Sequence, residues 1–320
     1  MNFNKNRVSV KIPHRISGFF EIVDSEDNKR ITSPERIGSR GAGFNLDSLG
    51  TTTVSYRKNS SLKINSCKVH INGEEKNHKA GTTNFVFDCI RERIANNTIV
   101  SINHEFDLPV GCGYGASGSG ALGAIYGLDA LFGLGLSPRE KGRIAHIAEV
   151  ENKTGLGTVC GQLSGGMSIL MEPGYPCTSK RITVSPKLRV VCGTFGLIET
   201  KSILSDPVLK EKINDAGKRA LKMLVATPNI TTFLKASIKF VQDSNILDLL
   251  NLNDTRDLMD DLNNDSKILG ASMNQLGRSV YAFCKEGDLK EVIERFKTYK
   301  PNVKIFDSVI NDKVFDIKFE

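Results

Sequence analysis

Five glycines, Gly111, Gly113, Gly115, Gly118 and Gly120, are interleaved with Ala116, Ser117 and Ser119. An apolar run with helical spacing follows at once (Leu122, Ile125, Leu128, Leu131). Glycine admits positive φ and lets an anion approach the main chain closely. A helix N-terminus placed directly after it offers unpaired N–H groups and the positive end of its dipole. Ser117 and Ser119 add hydroxyls suited to phosphate or a metal ion. The loop is therefore expected to hold a polyphosphate. Gly113 to Gly118 matches the dinucleotide pattern G-x-G-x-x-G, but it does not close a first strand, and Asp129 is too near to be the ribose acid. No lysine follows Gly120, so the loop is not a Walker motif. A glycine-rich packing turn between helices is the plainer alternative.

A second constellation lies on the helix expected from Ser137. His146, Glu149 and Lys153 stand at i, i+3 and i+7 and so share one helical face. Glu149 could ligate Mg²⁺, a hard cation that takes carboxylate, hydroxyl and phosphate oxygens. His146 could hold a substrate anion. The alternative is a solvated face on which Glu149 pairs with Lys153.

Composition limits the partners. The 320 residues are 25% charged and 39% hydrophobic, an ordinary globular balance. No stretch of 18 apolar residues occurs and the polar start is no signal peptide, so neither membrane nor export is expected. The seven cysteines are scattered without C-x-x-C spacing, which predicts reduced thiols in a cytoplasm. A net charge of +7 suits an anionic ligand. The basic residues form no block or arm, so nucleic acid is not expected.

The elements that must position these residues follow from periodicity. Strands are expected at Val8–Ile12, Thr51–Tyr56, Leu62–Ile71, Thr98–Phe106, Gly166–Met171 and Leu188–Phe195, with a loop over Ser33–Gly43. Helices are expected at Asn84–Asn96, from the glycine loop to Leu134, and near Pro207–Val225, Thr231–Asp243 and Leu289–Tyr299. Ser137-Pro-Arg-Glu140 carries an N-cap serine, a proline at the first helical position and a glutamate three residues after the cap, so a helix should run from there to about Lys153.

Pro13–Glu21, Pro109–Leu122 and Lys267–Gly277 together resemble the three motifs of the GHMP kinase superfamily, the last departing from the usual glycine-richer form. Over nearly its whole length the chain resembles the archaeal pantoate kinase branch, through His14–Ile22, Gly38–Gly43, Gly113–Leu122, His146–Gly157 and Ile198–Leu204. The resemblance implies an α/β (α+β) fold of two halves, 1–180 and 181–320, with mixed or antiparallel sheets and the active site between them. It implies ATP over Gly111, Gly113, Gly115, Ala116, Ser117, Gly118, Ser119 and Gly120, and Mg²⁺ shared by the catalytic pair Ser117 and Glu149. A small anionic hydroxy acid would lie near Ser39, Arg40, His146 and Lys153, and a homodimer is the only macromolecular partner entertained.

Two positions depart from the branch. Thr158 stands where the family carries an aspartate base, and Leu170 where it carries an arginine for the pantoate carboxylate. Homoserine kinases and phosphomevalonate kinases also manage without that aspartate. The departures point to mevalonate 3-phosphate as acceptor, phosphorylated on its primary hydroxyl in an archaeal route to isoprenoids, with Arg40, Arg15 or Lys153 gripping its phosphate. Pantoate, on the route to coenzyme A, is the alternative. A nucleotide-binding sensor without catalysis is the alternative of another class.

Overall fold

A computed structural model describes residues 6–27, 29–61, 64–198 and 207–320. The Ile198–Leu204 phrase thus lies almost wholly outside the described residues. Two sheets organise the rest. The first is mixed and eight-stranded, built on the long antiparallel pair β1 (Arg7–Val23) and β2 (Gly38–Lys58). β3 (Ser66–Ile71), β4 (Glu74–Glu75) and β5 (Thr98–Phe106) extend it beyond β2, with β5 antiparallel to β2 and parallel to β3. β6 (Met167–Leu170) pairs with the early part of β2, and β7 (Ser179–Ile182) pairs with β6. The second sheet is antiparallel, its strands β8 (Leu188–Gly196), β9 (Ile268–Met273), β10 (Arg278–Lys285) and β11 (Lys304–Ser308) standing in the order β9-β10-β8-β11. β12 (Asp316–Phe319) then returns to the free edge of β1. The expected 181–320 half is therefore not closed on itself, because its last strand belongs to the first sheet.

Helices cover these sheets. α1 (Gly81–Ile90), α2 (Ala116–Phe132) and α3 (Pro138–Asn152) pack together, and with the first sheet they enclose a core that includes Val10, Val54, Ile102, Leu122 and Ile125. α5 (Pro207–Ala226) and α6 (Ile230–Ser244) pack against the later part of β1 and, with the second sheet, enclose an aromatic core of Phe19, Phe44, Phe233, Tyr281 and Phe283. Apolar cover by α2 on one stretch and α5 on another explains why β1 is buried almost throughout, where a half-exposed strand would alternate.

The cap of α3 forms as its sequence predicts. Ser137 Oγ accepts from the Glu140 N–H at 3.2 Å while Glu140 Oε2 accepts from the Ser137 N–H at 2.8 Å. Elsewhere tertiary pairing overrides composition. The Ser33–Gly43 loop ends at Ile37, because residues 38–43 are strand, paired with β1 on one side and β6 on the other. The helix expected over Asn84–Asn96 begins earlier, at Gly81, and ends in a tight turn at Arg91–Arg93. Among the described residues three helices go beyond the sequence expectation, α4 (Thr158–Ser164), the one-turn α7 (Ile246–Leu249) and α8 (Asn253–Asn263), whereas α9 (Leu289–Lys297) forms after β10 where a helix is expected. The cysteine expectation also needs correcting. Cys160 in α4 and Cys177 ahead of β7 form a disulfide, since the return of the chain through β6 brings them within 6.0 Å at Cα. The five other cysteines are free. Among the described residues no helix is long and apolar enough to cross a membrane.

Candidate active site

A cavity of about 390 Å³ opens where the glycine loop, the later half of β1, the start of β2 and the α3–α4 turn meet. The third motif forms its far wall: Gln275 and Leu276 line it, and Asn274 Nδ2 donates to the Cys112 carbonyl at 3.3 Å. The loop's backbone does what its glycines foretell. Gly115, the residue before α2, sits at φ 68°, a left-handed conformation that only glycine adopts without cost, and the N-terminus of α2 follows it directly. Gly111, Gly113, Gly115, Ala116 and Ser117 line the cavity. Gln162 of α4 braces the loop from behind, its Nε2 donating to the carbonyls of Pro13 and Gly115 at 3.0 Å each.

Ser117 and Glu149, far apart in sequence, come together at the base of the loop. Ser117 Oγ donates to Glu149 Oε1 at 2.5 Å. Glu149 is 1% exposed and forms no ion pair with a described cation. Burial lifts its carboxyl to about 7, against the pull of hydrogen bonds from Ser117, Thr154, Thr158 and the Val159 N–H. The seat is tailored to it: a Cβ on Gly155 would lie 2.5 Å from Glu149 Oε2 and one on Gly118 3.1 Å. Among the described residues no cluster of three or more His, Cys, Asp or Glu could hold a metal alone. A cation at this place would draw on Ser117, Glu149 and phosphate oxygens, a wholly hard-oxygen set that suits Mg²⁺.

The other expected residues divide. Ser39, Arg40 and Lys153 line the cavity. Arg40 is held by Glu21, a buried carboxylate of the first motif that sequence reasoning did not single out as a site residue, through Nε–Oε2 at 3.0 Å and Nη2–Oε1 at 2.9 Å. His146 does not reach the cavity. It is 1% exposed, its Nε2 lies 2.9 Å from the Ile37 carbonyl, its ring stacks near Tyr175, and burial lowers its pKa. A shared helical face put it beside Glu149, but Ile37, at the end of the loop before β2, and Tyr175 cover that part of the face. Gly118, Ser119 and Gly120 also lie behind the cavity wall. Gly118 packs on Gln162, Thr158 and Glu149, Gly120 faces His104, and the fully buried Ser119 donates to the Ile12 carbonyl at 3.2 Å. Arg15 contributes to the lining, yet its guanidinium is directed at Asn45 Oδ1 and Ser168 Oγ, at 3.1 and 3.2 Å, beneath α4. Thr158 and Leu170, the two departures, both line the cavity.

Comparison with known proteins agrees with this geometry. Residues 82–166 match the family of GHMP kinases N terminal domain, a span that takes in the glycine loop, α3 and α4. The chain is 31% identical to the pantoate kinase of Methanocaldococcus jannaschii over 285 residues, covering 89% of this chain and 96% of that one. It is 31% identical to the pantoate kinase of Thermococcus kodakarensis over 284 residues, 88% of each. Among solved structures, a phosphotransferase related to the CoA biosynthesis pathway superposes with a TM-score of 0.82 at 25% identity, covering 98% of this chain and 99% of that one. These relatives lend no support to the mevalonate 3-phosphate expectation or its isoprenoid route, and favour the alternative weighed beside it. The chain belongs to the pantoate-kinase branch of the GHMP kinase superfamily and is an ATP-dependent kinase with a hydroxyl acceptor.

Proposed function

We propose that this kinase phosphorylates the primary hydroxyl of pantoate. One observation carries the reading: the cavity lined by Ser117, whose hydroxyl donates to Glu149 buried behind the wall, also presents Ser39, Arg40 and Lys153, and among the described residues no aspartate or glutamate lines it. Such a wall accepts an acid, and the relatives favour a hydroxy acid.

The nucleotide's phosphates would lie over Gly111–Ser117, where N–H groups of the left-handed turn and the N-terminus of α2 face them. Mg²⁺, when bound at Ser117 and Glu149, supplies charge neutralisation to the phosphates. Arg40 would take the acceptor's carboxylate, with the Ser39 hydroxyl beside it, and turn the primary hydroxyl toward the loop. The hydroxyl oxygen then attacks the γ-phosphorus as the bond to the β-phosphate oxygen breaks, releasing ADP. Thr158 donates its hydrogen to Glu149 and is no base, so proton loss is late and rate rests on positioning and charge stabilisation.

Thr158 and Leu170 at the cavity wall favour a second reading, in which the lost base and arginine mark a different acceptor, mevalonate 3-phosphate. ADP formation measured side by side with pantoate, mevalonate, mevalonate 3-phosphate and mevalonate 5-phosphate separates the two. Pantoate should give the highest kcat/KM. Turnover confined to mevalonate 3-phosphate would replace the first reading by the second, and no turnover with any acceptor would return the chain to a nucleotide sensor.

A further inference from the structure

Arg40 is the guanidinium best placed to meet an acid in the cavity, and it arrives already paired. A guanidinium carries five N–H groups in a planar fork. Glu21 accepts one from Nε and one from Nη2, and among the described residues no hydrogen bond engages Nη1. Glu21 is 3% exposed, and its position on β1 opposite Arg40 on β2 is fixed by strand register. The carboxylate is therefore a permanent part of the acceptor site. It orients the fork and cancels most of its charge.

The remaining positive charge near the acceptor is limited. The Arg15 guanidinium is engaged beneath α4 by Asn45 and Ser168, and Lys153 lines the wall where α3 ends. A single carboxylate matches a neutralised fork that offers Nη1. An acceptor with an added phosphate brings a further charge of about −1.5 to −2, and Glu21 repels it across the same guanidinium.

We infer that Glu21 is a specificity-determining residue that restricts the acceptor site to monoanionic hydroxy acids and excludes phosphorylated ones. The inference rests on reading the cavity as a hydroxy-acid kinase site and deepens it by naming the acceptor's charge class. Glu21 acts through Arg40 and touches no reacting atom.

The test uses a ligand pair that differs only in the phosphate, mevalonate and mevalonate 3-phosphate, with pantoate as reference. Binding to the full chain is measured by titration calorimetry, so the result does not depend on turnover. The wild type should bind mevalonate at least tenfold more tightly than mevalonate 3-phosphate. In Glu21→Gln, which keeps an oxygen acceptor for Arg40 Nε, the preference should shrink by about tenfold or reverse, because one negative charge is gone. Glu21→Asp should keep the preference while weakening both ligands. An unchanged ratio in Glu21→Gln, equal losses for both ligands included, overturns the inference. So does a wild-type preference for the phosphorylated ligand or no binding of either, and these readings on the wild type stand even where a variant fails to fold. ADP formation with pantoate is scored separately: its absence alongside the expected binding preference would refute the kinase assignment of the acceptor and leave the charge filter standing.

Discussion

Two buried carboxylates flank the cavity and are handled in opposite ways. Glu21 is neutralised by a bidentate arginine, whereas Glu149 meets only hydroxyls and one N–H and is lifted to about 7. A compensated carboxylate fixes a partner's geometry. An uncompensated one, ringed by donors that favour its charged form, is destabilised until a cation arrives. On the proposed function, Glu21 stands at the acceptor end and Glu149 at the nucleotide end.

The largest expected effects fall on the uncompensated side. Replacing Glu149 or Ser117 by alanine should lower kcat by roughly 10²–10³-fold while leaving acceptor affinity nearly intact, since their work is done as charge develops on the transferring group. A fall confined to KM would break the contrast. Glu149→Gln should also stabilise the metal-free fold. The folded carboxyl titrates at about 7 against an ordinary 4.5, so proton binding favours the native state below 4.5 and that advantage is lost as pH rises through 7. At pH 8 the wild type therefore bears a cost of roughly 3 kcal/mol at most, from about 1.4 kcal/mol per pKa unit. Denaturant unfolding should show the variant ahead by up to that amount at pH 8 and no difference below pH 4.5. A constant difference at all pH values would show that titration is not its source.

On the compensated side, Arg40→Ala should raise acceptor KM by about 30-fold with a smaller change in kcat, and lower stability by about 2 kcal/mol as Glu21 is left buried without its cation. Arg40→Lys should recover only part, because an ammonium cannot serve Glu21 and an acid as a fork does. A kcat loss as large as that of Glu149→Ala would erase the difference between the two ends. Thr158→Val should cost less than about tenfold in kcat, since the hydroxyl contributes one hydrogen bond to Glu149. The smallest effect on turnover is expected from Cys177→Ser, which should leave kcat unchanged. It should lower unfolding free energy by about 3 kcal/mol relative to the oxidised protein, and by nothing once the wild type is reduced. Equal stabilities before and after reduction would show that the cross-link is not formed.

Local signals were the readable ones. The glycine loop and the Ser137 capping box each encode their own backbone, and together they fix where α2 and α3 begin. That is enough to bring Ser117 and Glu149 into register. Helical spacing alone could not tell Glu149 from His146, because the choice between cavity and core lies with Ile37 and Tyr175, which cover one turn of that face. Lys153 reaches the cavity for a reason the spacing did not contain: it leaves the helix at φ 54°. Residues 38–43 read as a loop from their glycines, and only pairing with strands on both sides makes them strand. α4 was hidden for the same reason, since it depends on Gln162 reaching carbonyls of β1 and the glycine loop. Glu21 stood in a recognisable motif, but its role is visible only once β1 and β2 are paired.

On the proposed function, the Ser117–Glu149 pair serves phosphoryl transfer to a hydroxy acid. Phosphorus NMR of a reaction containing the enzyme, Mg-ATP and pantoate tests that directly. A new phosphomonoester on the primary hydroxyl should accumulate stoichiometrically with ADP in the wild type, and at most about a hundredth as much should form over the same period with Glu149→Gln. Equal product from both proteins, or ADP without the phosphomonoester, would contradict it.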